Sequence, residues 1–140
     1  MYLLDTNVVS ELRKPRPHGG VLEWVRTAPE EHLHVSVVTL GEIQAGIEIT
    51  RRRDREKADE IERWLDDVAQ SYNVLVVDAT VSRRWAQLMH GKPDQHLEDG
   101  LIAATAMVHD LSVVTRNTAD FESFGVRLVN PFTKPTTERT

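Results

Sequence analysis

The chain contains no cysteine. That excludes disulfides, thiolate metal sites and a cysteine nucleophile, and it suits a reducing cytoplasm. No uninterrupted apolar run approaches the roughly 18 to 20 residues that a membrane span needs, so a soluble protein with no membrane partner is expected. The opening MYLLDTN is an apolar strand broken by an acid, and it lacks the basic and long apolar segments of a signal peptide. No H-E-x-x-H or His/Cys zinc spacing occurs among the six histidines, and the Walker and Rossmann glycine patterns are missing too. Internal repeats are absent, and low complexity is confined to the polar end TKPTTERT.

What is present fits a single domain: 140 residues with 40% hydrophobic content, enough to bury a sizeable core. The expected division is a domain over 1–132 and a polar tail over 133–140. Net charge is −5, which by itself argues against nucleic acid, but the imbalance is local. Residues 1–57 carry nine basic and nine acidic groups, whereas 58–140 carry eight basic against thirteen acidic. Basic residues gather at Arg13, Lys14 and Arg16, and again in RRRDREK from Arg51 to Lys57. Either group can hold a phosphate backbone or serve as a solvated face.

Short β-branched runs alternate with longer amphipathic stretches, the pattern of an α/β domain around a parallel sheet. Strands are expected at Tyr2–Leu4, Leu33–Val37, Val74–Val77, Ser112–Thr115 and Arg127–Val129. Helices are expected over Val8–Arg13 with Thr6 or Asn7 as cap, Val21–Thr27, Thr39–Ile49 with Thr39 as cap, Asp54–Ser71, Ala79–His90 and Leu97–Val108. The last reads as a central buried helix because LIAATA is almost free of bulky or charged groups. Gly41 and Gly46 are expected to permit close helix packing.

Four acids stand where strands end or helices begin: Asp5, Glu42, Asp99 and Asp120. Singly, each has an ordinary explanation. Glu42 in a first helical turn favours the helix dipole, and Asp99 at a helix start suits a cap. Jointly they mark one edge, because ligands of open parallel sheets bind at the carboxyl ends of strands where the order reverses. Four carboxylates near one point repel each other, which favours a divalent cation such as Mg²⁺ or Mn²⁺ held by oxygen ligands. That chemistry points to phosphodiester bonds.

MYLLDTNVVSEL, VTLGEIQAGI, EDGLIAATA and VVTRNTADFESFGVRLVNP together resemble the four signature segments of PIN-domain proteins of the VapC/FitB toxin type. The resemblance runs from residue 1 to about 132. It implies a three-layer α/β/α sandwich with a central parallel sheet and a metal-dependent endoribonuclease, the toxin of a type II toxin–antitoxin pair. It further implies Asp5, Glu42 and Asp99 as the principal catalytic and metal-site residues, with Asp120 as the fourth. Some family members carry that fourth acid where this chain has Asn117. Thr6, Thr115 and Asn117 are then expected to orient the acids. The implied partners are an RNA substrate, a VapB-like antitoxin inserting an Arg into the acidic pocket, and a second copy in a homodimer. A non-cleaving PIN-like module that binds RNA or protein is the alternative. Aspartyl-phosphate chemistry fits less well: its phosphatases want a second Asp where Asn7 stands, and receiver domains want a Lys where Arg116 follows Thr115.

Overall fold

A computed structural model describes residues 1–133; the expected polar tail, apart from Thr133, lies outside them. Five parallel strands form one sheet in the order β3-β2-β1-β4-β5: β1 Tyr2–Leu4, β2 Leu33–Ser36, β3 Asn73–Leu75, β4 Ser112–Val114 and β5 Leu128–Val129. Around them, the described residues form α1 Thr6–Arg13, α2 Gly19–Thr27, α3 Val37–Arg51, α4 Arg55–Ser71, α5 Ala79–Met89, α6 Leu97–Val108 and α7 Thr118–Phe121. All five expected strands form, each within a residue or two of its expected bounds.

Strand side chains alternate between faces, so neighbouring residues enter different cores. Leu4, Val35 and Val114 pack with Val8 and Val9 of α1, Val21 of α2, Ile43 and Ile47 of α3, and Leu65 and Val68 of α4. Leu3 and Val113 pack on the opposite face with Ile102, Ala103 and Ala106 of α6 and with Phe121 and Phe124. These two cores make the chain a three-layer α/β/α sandwich. Helix α6 is buried along most of its length, at Gly100 and from Ile102 to Ala106. A Cβ on Gly100 would lie 2.6 Å from Met89 Sδ and 3.2 Å from Trp85 Cδ1. The missing side chain is what lets α5 lie close against the turn that carries Asp99.

Topology creates the functional edge. From β1 the chain builds outward through β2 and β3, then crosses back to lay β4 on the other side of β1. The order therefore reverses between β1 and β4, where a crevice opens at the carboxyl ends. Leu4 pairs with both Val35 and Val114, so Asp5, Ser36 and Thr115 leave the sheet side by side.

Several expected local details differ. Asp5, rather than Thr6 or Asn7, caps α1. Ser36 caps α3 in place of Thr39, accepting from the Val38 amide, so α3 starts at Val37 and Glu42 falls in the second turn instead of the first. Thr39 is fully buried, leaving its hydroxyl for another purpose. Gly41 and Gly46 do not serve close packing: a Cβ at either would meet nothing within 4 Å among the described residues. The basic run after α3 is also smaller than it reads, because Arg51 is committed to Glu48, Asp59 and Glu62, tying α3 to α4.

The glycines yield a paired prediction. Gly46→Ala should raise unfolding stability by about 0.5–1 kcal/mol, since a helix interior gains and nothing clashes. Gly20→Ala should lower it by about 1–3 kcal/mol, because its Cβ would lie 2.7 Å from the Pro131 carbonyl oxygen. Urea denaturation midpoints of the two variants should move in opposite directions.

Candidate active site at the carboxyl edge of the sheet

Asp5 directly follows β1 at the strand-order reversal, with 6% of its surface exposed. One carboxylate oxygen, Oδ1, accepts the Thr6 amide at 2.8 Å. The other, Oδ2, accepts the Thr115 hydroxyl at 2.8 Å and the Asn7 side-chain amide at 3.2 Å. Thr115, fully buried at the end of β4, accepts in turn from Asn7 Nδ2 at 3.2 Å and the Asn117 amide at 3.0 Å. Asn7 Oδ1 accepts the Arg116 amide at 3.2 Å. The loops after β1 and β4 are thus stitched together around one carboxylate. Burial pushes the Asp5 carboxyl above the usual range, these hydrogen bonds pull it back, and the Asp120 charge adds to the rise.

Glu42 reaches the same edge from α3. Thr6 Oγ1 donates to Glu42 Oε1 at 2.7 Å and lies 3.0 Å from Thr39 Oγ1. Because Thr6 has a single hydroxyl proton and directs it at Glu42, Thr39 is the donor in that second bond. This is the purpose of the buried Thr39 hydroxyl. Burial first, then the neighbouring Glu98 carboxyl and the charge of Asp5, raise the Glu42 pKa to about 7.

Asp99, in the first turn of α6, makes no capping bond there. Its pKa is raised to about 6 by burial and by the charges of Asp5 and Asp120, against a smaller opposing effect from His96, whose Nδ1 lies 3.9 Å away. Asp120, exposed in α7, contributes its charge to both. The structure therefore brings Asp5, Asp99 and Asp120 into electrostatic reach of one another, with Glu42 acted on chiefly by Glu98 and less by the Asp5 charge. It does not draw them into a ready-made ion cage: among the described residues no three acid or imidazole groups close up around one point. Asn117 takes part through its backbone amide, while Thr6 and Thr115 orient Glu42 and Asp5.

Glu98 and Asn7 were not anticipated as site residues. In sequence Asn7 reads as a helix cap or as the residue standing where a phosphatase would have a second Asp, yet its amide bridges two loops. Glu98 is adjacent to Asp99 in sequence, and consecutive helical residues point in different directions; only the packing of α3 beside α6 shows that it faces Glu42. Thr105, by contrast, is fully buried and donates to the Leu101 carbonyl at 2.7 Å, a packing role.

The donor set is entirely oxygen, and among the described residues no Lys or Arg pairs with Asp5, Glu42, Asp99 or Asp120. Such a set fits a hard divalent cation, and Mg²⁺ keeps several waters and needs few protein ligands. Without a cation, the raised acids make folding sensitive to pH. An acid held above its ordinary pKa binds its proton more tightly in the folded state. Its stabilising contribution is present below the ordinary value of 4.5 and lost as pH rises toward about 7. In EDTA, Glu42→Gln should therefore have a higher Tm than wild type at pH 8, with the difference shrinking toward pH 5. A pH-independent difference would contradict this assignment.

Comparison with known proteins agrees with this architecture. A sequence model of the PIN domain matches residues 2–126. The chain is 36% identical over 138 residues to VapC ribonuclease Y4jK of Sinorhizobium fredii, covering 94% of this chain and 98% of that protein. It is 32% identical over 139 residues to toxin FitB of Neisseria gonorrhoeae, covering 94% and 99%. Among solved structures, FitAcB from Neisseria gonorrhoeae superposes with a TM-score of 0.85 at 32% identity, covering 96% of this chain and 100% of that one. Fold, edge geometry and these matches agree: the chain belongs to the PIN-domain family, in its VapC/FitB branch.

Proposed function

We propose that this protein is a metal-dependent endoribonuclease and the toxin of a type II toxin–antitoxin system. The observation that carries this reading is that Asp5, Glu42 and Asp99 stand at one edge with carboxyl groups raised above their ordinary range, beside Asp120 and with no neutralising cation from the described residues. Relatives support the activity, since two matched proteins are a VapC ribonuclease and a FitB toxin. The structural neighbour FitAcB and related VapBC complexes support an antitoxin partner.

Asp5, Asp99, Glu42 and Asp120 would hold Mg²⁺ or Mn²⁺. The bound ion supplies Lewis acidity at the phosphoryl oxygen and lowers the pKa of water in the cleft. The protein's own groups perform the positioning. Asp5 is fixed by Thr115 and Asn7, so it presents its charge at a constant place. Glu42, with Oε1 tethered to Thr6, has Oε2 left to accept a proton from the attacking water, and a pKa near neutrality suits a general base. Oxygen of that water would bond to phosphorus as the bond to the departing oxygen breaks, and the departing oxygen would take its proton from solvent, which reaches this edge at the exposed Asp120.

The same charge distribution accounts for a toxin's inhibition. An Arg of a VapB-like antitoxin would satisfy these carboxylates bidentately and compete with the cation. We further assign the protein to the cytoplasm, as a homodimer whose basic surfaces meet to hold RNA. Among the described residues no helix is long and apolar enough to cross a membrane.

Purified protein free of antitoxin should cut RNA in Mg²⁺ and stop in EDTA. Asp5→Asn and Asp99→Asn should each lower the rate about 100-fold or more, and Thr115→Val about 10- to 100-fold through loss of Asp5 orientation. Full EDTA-sensitive cleavage by Asp5→Asn would overturn the reading, and binding without cleavage by wild type would favour the non-cleaving module.

A further inference from the structure

A cleft of about 280 Å³ leaves the proposed active site between α1 and α3 and runs toward α4. Thr6 and Glu42 form its upper end, Ile61 and Trp64 of α4 line it, and Arg13 stands at its lower end. Arg13 stands seven positions along α1 from Thr6, roughly 10 Å of helix, which is the reach of a short stretch of extended nucleic acid. Arg13 is exposed, is the one cation lining the cleft, and forms no ion pair among the described residues. Its neighbour Lys14, by contrast, is paired with Glu11 at 2.9 Å.

We infer that this cleft is the path of the single-stranded RNA substrate on one side of the scissile bond, with Arg13 binding a backbone phosphate and Trp64 offering a face for a base. The inference rests on the nuclease reading for its substrate and on the cleft itself for its place. Three features point to RNA. The cleft is continuous with Glu42, so its occupant adjoins whatever occupies the site. Its charge runs from acidic at the reacting end to basic at the far end, matching a strand whose scissile phosphate meets a cation-loaded site and whose next phosphates need a protein cation. Between those ends Ile61 and the partly buried Trp64 line it beside Ser10 and Thr50, a mixed wall with one aromatic group of the kind that stacks on bases without regard to sequence. Arg13 is thus a substrate-positioning residue. A purely structural role at the end of α1, offsetting the helix dipole, would alter stability but leave RNA affinity and its salt dependence alone.

The test uses the full chain without antitoxin and a fluorescein-labelled single-stranded oligouridine. Binding is followed by anisotropy in EDTA across a salt series, and cleavage in Mg²⁺. Arg13→Gln should reduce the slope of log Kd against log salt by about 0.7, the value of one phosphate contact on a single strand. It should raise KM about 3- to 10-fold with kcat within about twofold, and Arg13→Lys should restore the slope. An unchanged slope and KM in Arg13→Gln would overturn the proposal. Failure of the nuclease reading is distinguishable, because wild type that binds the strand without cutting it still reports the Arg13 contribution through the salt slope.

Discussion

Burial of one carboxylate at the junction of β1, α1 and β4 is the constraint on which the functional edge depends. A buried acid is costly unless its oxygens are satisfied, and Asp5 is satisfied by groups drawn from both sides of the strand-order reversal. The same bonds that make Asp5 tolerable fix the loops carrying Asn7, Arg116 and Asn117. Removing the carboxylate would free donors on both loops, so the charge is a structural fastening as well as a chemical group.

Around this fixed charge the remaining acids are arranged in mutual tension. Glu42 and Asp99 are pushed toward neutrality by burial and by their neighbours. The helices carrying them are held by ordinary packing: Ile43 and Ile47 against one face of the sheet, Ile102, Ala103 and Ala106 against the other. Packing supplies the stability that lets charges be held where they repel. A site of this kind gains from any cation or cationic side chain that enters it.

Much of this was legible in the sequence. The five strands follow from β-branched runs, and the buried α6 from its alanine-rich stretch, because burial on all sides tolerates neither charge nor bulk. Asp5, Glu42, Asp99 and Asp120 were legible as strand-end and helix-start acids once their places at one edge were considered together. What was not legible depended on distances between elements. The choice of Ser36 over Thr39 as the α3 cap shifts Glu42 by a turn, and propensity alone does not separate two good caps three residues apart. Glu98 became part of the site only because α3 lies against α6, and Arg51 proved to be neutralised by acids on α4 that are 8 and 11 residues distant. Gly41 and Gly46 face open space among the described residues, which a helical pattern cannot reveal.

Under the proposed function these acids act on one another electrostatically and would together hold a divalent cation. Carbon-13 NMR titration of the Asp and Glu carboxyl groups, without metal and with saturating Mg²⁺, measures it most directly. In the metal-free protein, Glu42 should titrate near pH 7 and Asp99 near pH 6, and both should fall by more than about one unit when Mg²⁺ binds. Midpoints in the ordinary carboxylate range, or values indifferent to Mg²⁺, would contradict the account.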